Sequence, residues 1–228
     1  MAVALTHPLQ QQLDQITATT RTLVQPERLA RTDQVIADLC ATGIEARTSA
    51  IGSQAPGFSL FAANGKLVRS DDLLALGPVV LKFFRGRWCP YDMTELEAWQ
   101  ALLPTFRNAT RSRPALLVAI SPQTQRHNTF TAENQAKPGG LTFPLLSDPG
   151  CNLAEQFGIA YTVPEPTRLW YRSMLVNIPL LHGDHAWRLP LPATVVLNQV
   201  GTILYAEAHA DHRCRPDPQA VLDVLGTI

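Results

Sequence analysis

Apolar positions at the start of the chain recur at three- and four-residue spacing. Leu9, Leu13, Ile16 and Leu23 stand in a polar, glutamine-rich segment, which predicts an amphipathic helix. Pro26 suits the first turn of a second helix, with Leu29, Ile36 and Leu39 on its apolar side and Gly43 as its stop. The pair reads as a helical extension over residues 1–50, packing on the main domain or on a second subunit. From Ile51 the period changes. Residues 58–60 and 67–68 read as strands around an Asn64-Gly65 turn, and residues 71–76 as a short helix closed by Gly77-Pro78. Residues 79–84 are nearly unbroken β-formers, as in a strand buried on both faces. A helix from 90 to about 103, ending near Pro104, precedes a second buried strand at 115–120 and a polar helix at 124–135.

The remainder continues the alternation. Residues 143–146 are strand-like and 152–157 form a short helix ended by Gly158. A hairpin follows at 193–197 and 202–205, then a last helix at 218–225. Alternating strands and helices predict an α/β domain over residues 51–228, with a central sheet between helices. Between Pro164 and Pro192 five prolines and little periodicity read as a long surface insertion, about 164–191, acting as a lid or subunit contact.

Composition narrows the function. At 228 residues and 46% hydrophobic, the chain has enough apolar sequence for one well-cored domain. Lys plus Arg and Asp plus Glu both number 19, so the net charge is zero and nothing favours nucleic acid or an anionic membrane as partner. No apolar run reaches membrane-helix length, and the start turns polar by Gln10, so a cytoplasmic protein with reduced thiols is expected. Cysteines at 40, 89, 151 and 214 are too few and too widely spaced for a disulfide scaffold.

The richest segment runs from Phe83 through Arg85, Gly86, Arg87, Trp88, Cys89, Pro90, Tyr91 and Asp92 to Glu95. It lies where a buried strand ends and a helix begins. A thiol there faces free backbone N–H groups and the positive helix end, both of which favour thiolate. Arg85 and Arg87 add positive charge if either folds back, and Pro90 fits just after a cap.

Several stretches together resemble the peroxiredoxin-like branch of the alkyl hydroperoxide reductase/thiol-specific antioxidant family. They are residues 52–60, 77–81, the Arg85-Gly-Arg-Trp-Cys-Pro-Tyr91 turn, 118–123, 143–149, Phe157-Gly158, and Leu191-Pro-Ala-Thr194 with Gly201. The resemblance covers nearly the whole chain. It implies a thioredoxin-like mixed sheet flanked by helices, and it implies that Pro192 is the cis-proline packed beside the active cysteine. Relatives carry Trp-Cys-Pro-Tyr-Cys at the turn, whereas this chain has Asp92 in place of the second thiol. Aligned on the following glutamate, Asp92 takes the peroxidatic position. Aligned as Cys-x-x-Cys, Cys89 is the nucleophilic thiol.

Asp92 has two readings: a proton acceptor beside the thiol, or a capping group at the third helical position. A carboxylate there also raises a neighbouring thiol's pKa. Among the other cysteines, Cys151 at a helix start looks most reactive, Cys214 reads as exposed near arginines, and Cys40 as structural among apolar neighbours. None stands at a recognised resolving spacing, so an external thiol is expected, and the cysteines also allow a homodimer linked through Cys214. His209, Asp211, His212 and Cys214, with His182 and His185, have metal-ligating chemistry, but a plain polar loop is the preferred reading. The expectation is a hydroperoxide-reducing oxidoreductase acting through Cys89, with Arg85, Asp92 and Pro192 as site residues. It would use thioredoxin, glutathione or another thiol, and no cofactor or metal. Its rivals are a degenerate binding module and a monothiol disulfide-exchange enzyme.

Overall fold

The unbroken apolar run at residues 79–84 becomes the middle of the sheet. The computed structural model describes residues 9–111, 113–135 and 140–228, so the opening residues, read above as lacking a leader, lie outside it. Strand β1 (Ser59–Ala62), β2 (Leu67–Arg69), β3 (Val79–Phe83), β4 (Leu116–Ser121), β5 (Leu145–Ser147), β8 (Ala193–Leu197) and β9 (Ile203–Ala208) form one sheet. Its order is β2-β1-β5-β4-β3-β8-β9. β3, β4 and β5 run parallel, and β1, β2, β8 and β9 are joined antiparallel at the flanks. The mixed sheet between helices is the expected thioredoxin-like arrangement.

Side-chain alternation along β3 divides the core. Val79, Leu81 and Phe83 join Val118, Ile120 and Phe157 on one face. Val80 and Phe84 join Leu117, Trp99, Phe106 and Val221 on the other. Trp99 and Phe106 belong to α4 (Pro90–Arg107), and Val221 to α9 (Pro218–Leu225). Helix α4 runs through Pro104, contrary to the expected stop. Pro104 lies on the exposed side, while Phe106 one turn from Leu103 is fully buried and meets Trp99 edge-on at 5.8 Å. Burying that ring outweighs the one backbone hydrogen bond that proline forfeits.

The other helices on the sheet are α3 (Ser70–Leu76), α5 (Gln125–Asn134) and α6 (Asn152–Gln156). Before them stand α1 (Leu9–Leu23) and α2 (Pro26–Ala41), close to the expected pair.

The insertion differs from its reading as a loop. It holds α7 (Glu165–Ser173), α8 (Ile178–His182) and β7 (Arg188–Pro190), which pairs with β6 (Ala160–Thr162). Its prolines do not oppose this: Pro166 and Pro179 sit in first turns, where no intrahelical N–H is needed. Val163, Tyr171, Ile178, Trp187 and Leu189 give it a small core of its own. Among the described residues no helix is long and apolar enough to cross a membrane.

The chain after α2 is clasped to the domain at Gly158. The Ser49 N–H donates to Phe157 O at 3.0 Å, and Gly158 has φ 74° with the Arg47 carbonyl in the space a Cβ would need. A methyl group there collides with that oxygen, so Gly158→Ala is expected to cost about 2 kcal/mol or more. Gly43→Ala, at φ 65° but facing open space, is expected to cost about 1 kcal/mol. Urea midpoints of the two variants check the ordering.

Candidate active site

Beyond β3 the chain closes a turn over residues 85–89. Asp92 Oδ2 accepts the Arg85 N–H at 2.8 Å and the Gly86 N–H at 3.2 Å, and the Cys89 N–H donates to Gly86 O at 3.0 Å. Cys89 is the N-cap residue of α4, in extended conformation, with Pro90 as the first helical residue. The Asp92 N–H points out of this helix start, beside Cys89, with no hydrogen bond from the Cys89 side chain capping it. Arg85 does fold back: its Nη2 lies 2.8 Å from Cys89 Sγ. The guanidinium lies 4.8 Å from the Trp88 ring, is grouped with Tyr161 and Tyr171, and its Nε has no hydrogen-bond partner. Arg87 is exposed and rests on the Phe130 ring at 4.7 Å, so the second expected cation does not join the site.

Cys89 itself is fully buried. Leu9 and Leu13 of α1 share an apolar cluster with Cys89, Tyr91 and Ala98, and Thr17 Oγ1 and Tyr91 Oη hydrogen-bond at 3.0 Å. Burial pushes the Cys89 thiol up, and the Asp92 carboxylate adds to the rise; Arg85, Arg215 and the Asp92 N–H pull it down without cancelling it. The helix start alone predicted the opposite direction. Burial by segments packed over the turn, α1 among them, is not visible in the local motif and reverses the sign.

Asp92 caps the preceding turn rather than its own helix, and it is one end of a buried ionic chain. Arg215 Nη2 pairs with Asp92 Oδ1, and Arg215 Nε meets Glu95 Oε2 at 2.6 Å. Lys82 Nζ reaches Glu95 Oε1 and Thr194 Oγ1, each at 2.5 Å. Sequence reasoning missed Lys82, Glu95 and Arg215 as a set. The available signal was Lys82, a charge in the centre of a buried strand, which needs a buried partner. The segment around Arg215 also holds the helical extension: Gln10 Nε2 donates to Arg213 O, and Arg213 Nη1 pairs with Asp33 at 2.5 Å. The His209–Cys214 stretch is thus a strap, and among the described residues no His, Cys, Asp or Glu group is arranged to hold a metal ion.

Pro192 directly precedes β8, whose Ala193 pairs with Phe83, so it stands at the sheet end where the Cys89 turn begins. The remaining thiols are redistributed. Cys151, expected to be reactive, is buried in the sheet core with its thiol pushed up by burial first and then by Asp148. Cys40, expected among apolar neighbours, is exposed, and Cys214 is half-buried rather than exposed.

Above Cys89 opens a cavity of about 480 Å³. α1, α2, α7 and the strap supply its walls. Trp88, Tyr91, Trp170, Tyr171 and Val176 are among them. The extension and the insertion, predicted as packing and as a surface lid, therefore build the approach to the thiol.

The sequence profile of the AhpC/TSA family matches residues 51–206. No curated protein matches the chain. Among solved structures, peroxidoxin BcpB of Mycobacterium tuberculosis is similar at TM-score 0.58 and 23% identity, over 78% of this chain and 97% of that one. The yeast mitochondrial 1-Cys peroxiredoxin is similar at TM-score 0.58 and 17% identity, over 78% and 75%. A mutant of peroxiredoxin 6 of Arenicola marina reaches TM-score 0.61 at 16% identity, over 78% and 72%. These likenesses show a shared fold, and the profile match spans most of the sequence: the chain belongs to the AhpC/TSA family.

Proposed function

We propose that the chain reduces hydroperoxides through the single cysteine Cys89 and is regenerated by an external thiol. The observation that carries this is the contact between Cys89 Sγ and Arg85 Nη2 on a cavity wall, with Arg85 Nε unpartnered. The sulfur of Cys89 attacks the terminal peroxide oxygen, the O–O bond breaks, and Cys89 becomes a sulfenic acid. The proton lost by the thiol ends on the leaving alkoxide as alcohol, so a thiol held protonated by burial still balances the reaction. Arg85 lies where negative charge passes from sulfur to the leaving oxygen, and its free Nε donor suits that oxygen.

Restoration then needs two equivalents of thiol. One condenses with the sulfenic acid to a mixed disulfide and water, and the second releases Cys89 as thiol. Cys151 belongs to a core cluster separate from that of Cys89, which supports an external reductant, thioredoxin, glutathione or another small thiol. The similar yeast mitochondrial 1-Cys peroxiredoxin resolves its thiol via glutathione and thioredoxin systems, the same kind of partner. In a cytoplasm such reductants are at hand. Asp92 and Pro192 act here as positioning residues for the turn, and not as proton carriers.

Treating the protein with less than one equivalent of hydroperoxide and trapping sulfenic acid for mass spectrometry tests the assignment. Cys89 is expected to be labelled well before the more accessible Cys40 and Cys214. Labelling of either at the rate of Cys89 would overturn it. The burial of Cys89 beneath α1 favours one alternative, a binding module without turnover. A Cys89→Ser variant that consumes hydroperoxide as fast as the parent would select it.

A further inference from the structure

The cavity over Cys89 has an unusual charge for a protein whose net charge is zero. Its charged walls are Arg21, Arg28, Arg85 and Arg213, with Asp33 as the one carboxylate. Asp33 is already taken by Arg213, and Arg85 serves the sulfur. Arg21 and Arg28 are exposed at the tip of the α1–α2 pair, and among the described residues neither forms an ion pair. His212, also in the wall, shows the same field: burial first, then Arg85, Arg215 and Arg213, push it well below the ordinary histidine range. The rest of the lining is mostly apolar, with Val24, Leu29, Trp88, Trp170, Met174 and Val176, and Thr17 and Thr20 stand on α1 between the Cys89 cluster and Arg21. An apolar channel with its reactive atom at one end and two free guanidinium groups at the other matches an amphiphilic anion.

Geometry along α1 sets the length. Leu13 shares the Cys89 cluster, and Arg21 lies eight residues further along the same helix. That separation is about 12 Å of helix axis, spanned by an alkyl chain of about nine or ten carbons. We propose that this cavity takes an alkyl hydroperoxide bearing a distal carboxylate. The carboxylate lies on Arg21 and Arg28, the chain along the apolar wall, and the peroxide at Cys89. The inference rests on the peroxidase reading for its chemistry, but its anion site can be measured apart from turnover. It assigns a use to the helical extension, which lies outside the part of the chain matched by the family profile.

The binding test uses the full chain as Cys89→Ser, with dodecanoate and its methyl ester as probes and the fluorescence of Trp88 and Trp170 as readout. Dodecanoate is expected to bind at least about tenfold more tightly than the ester, the size of one charge-assisted contact. Arg21→Glu with Arg28→Glu is expected to abolish that difference, whereas Arg107→Glu with Arg126→Glu, the same charge change on exposed residues outside the cavity, is expected to keep it. Equal binding of acid and ester, or an undiminished preference in the double variant, would overturn the carboxylate site. The second arm uses the Cys89 protein and compares 9-hydroperoxyoctadecadienoic acid with tert-butyl hydroperoxide. The double variant is expected to lower the ratio of their kcat/KM by at least about tenfold. If no hydroperoxide is reduced while dodecanoate still binds as described, the peroxidase reading falls and the anion site stands. If both hydroperoxides are reduced with a ratio the double variant leaves unchanged, the reverse holds.

Discussion

Arg85→Met is expected to lower the second-order rate constant for hydroperoxide reduction at neutral pH by about 10²–10³-fold, the usual loss when a preorganised donor is removed from a developing charge. Methionine keeps apolar contact with Trp88 but removes both the Nη2 contact to Cys89 and the free Nε. Two effects add. Transition-state charge loses its donor, and the thiol loses the cation that most opposes its burial. The second effect has a sign that can be read from the pH profile. Without Arg85 the thiol moves further up, so the rate of the variant begins to rise at higher pH than that of the parent. Raising pH therefore narrows the gap between them, but only by the part due to thiolate population. Arg87→Met, whose side chain rests on Phe130, is the matched control and keeps the parent profile. A parent-like rate in Arg85→Met at neutral pH would remove Arg85 from the chemistry.

Much of this is legible in the residues themselves. Periodicity at Leu9, Leu13 and Ile16 marks the first helix, and the unbroken run at 79–84 marks the central strand, because each depends on local spacing and burial. The Cys89 turn is legible for the same reason: strand end, cap and Pro90 are neighbours in sequence. What escapes lies between distant segments. Arg215 meets Asp92 across 123 positions, and no spacing rule joins them. The helices of the insertion escape because prolines read as breakers until they are placed in the first turns of α7 and α8. The direction of the Cys89 shift fails because helix-end electrostatics is local, whereas desolvation comes from the whole surrounding packing, including α1, some seventy residues earlier in the chain.

Arg215→Met is expected to destabilise the fold by about 3–5 kcal/mol at neutral pH, more than any exposed substitution, because it leaves buried carboxylates without their shared cation. Asp92 and Glu95 are both fully buried, and Arg215 is the group that bridges them. Burial alone would raise Glu95, but Lys82 and Arg215 together hold it below the ordinary glutamate range. With that sign, the Glu95 contribution is fully present above the unfolded value, about 4.3, and is lost as pH falls through the lower folded value. Removing Arg215 lifts Glu95 back towards protonation. The penalty is therefore largest at pH 7 and shrinks on acidification, since a neutral Glu95 no longer needs the guanidinium. Urea unfolding of parent and variant at pH 7 and pH 4 measures both points, and an unchanged m-value would show that the denatured state is not the cause. Replacing Lys82, Asp92, Glu95 and Arg215 together by apolar residues of similar volume is expected to recover most of the lost stability, because Glu95 is also the carboxylate that pairs Lys82 and the ionic chain is costly chiefly when half-broken. That quadruple variant also frees the buried Arg85 and Gly86 N–H groups from Asp92, so part of the stability stays lost and with it the turn that aims Arg85 at Cys89. Recovered folding without recovered peroxide reduction is the outcome that assigns the buried network to the site; recovery of both would assign it to the fold alone.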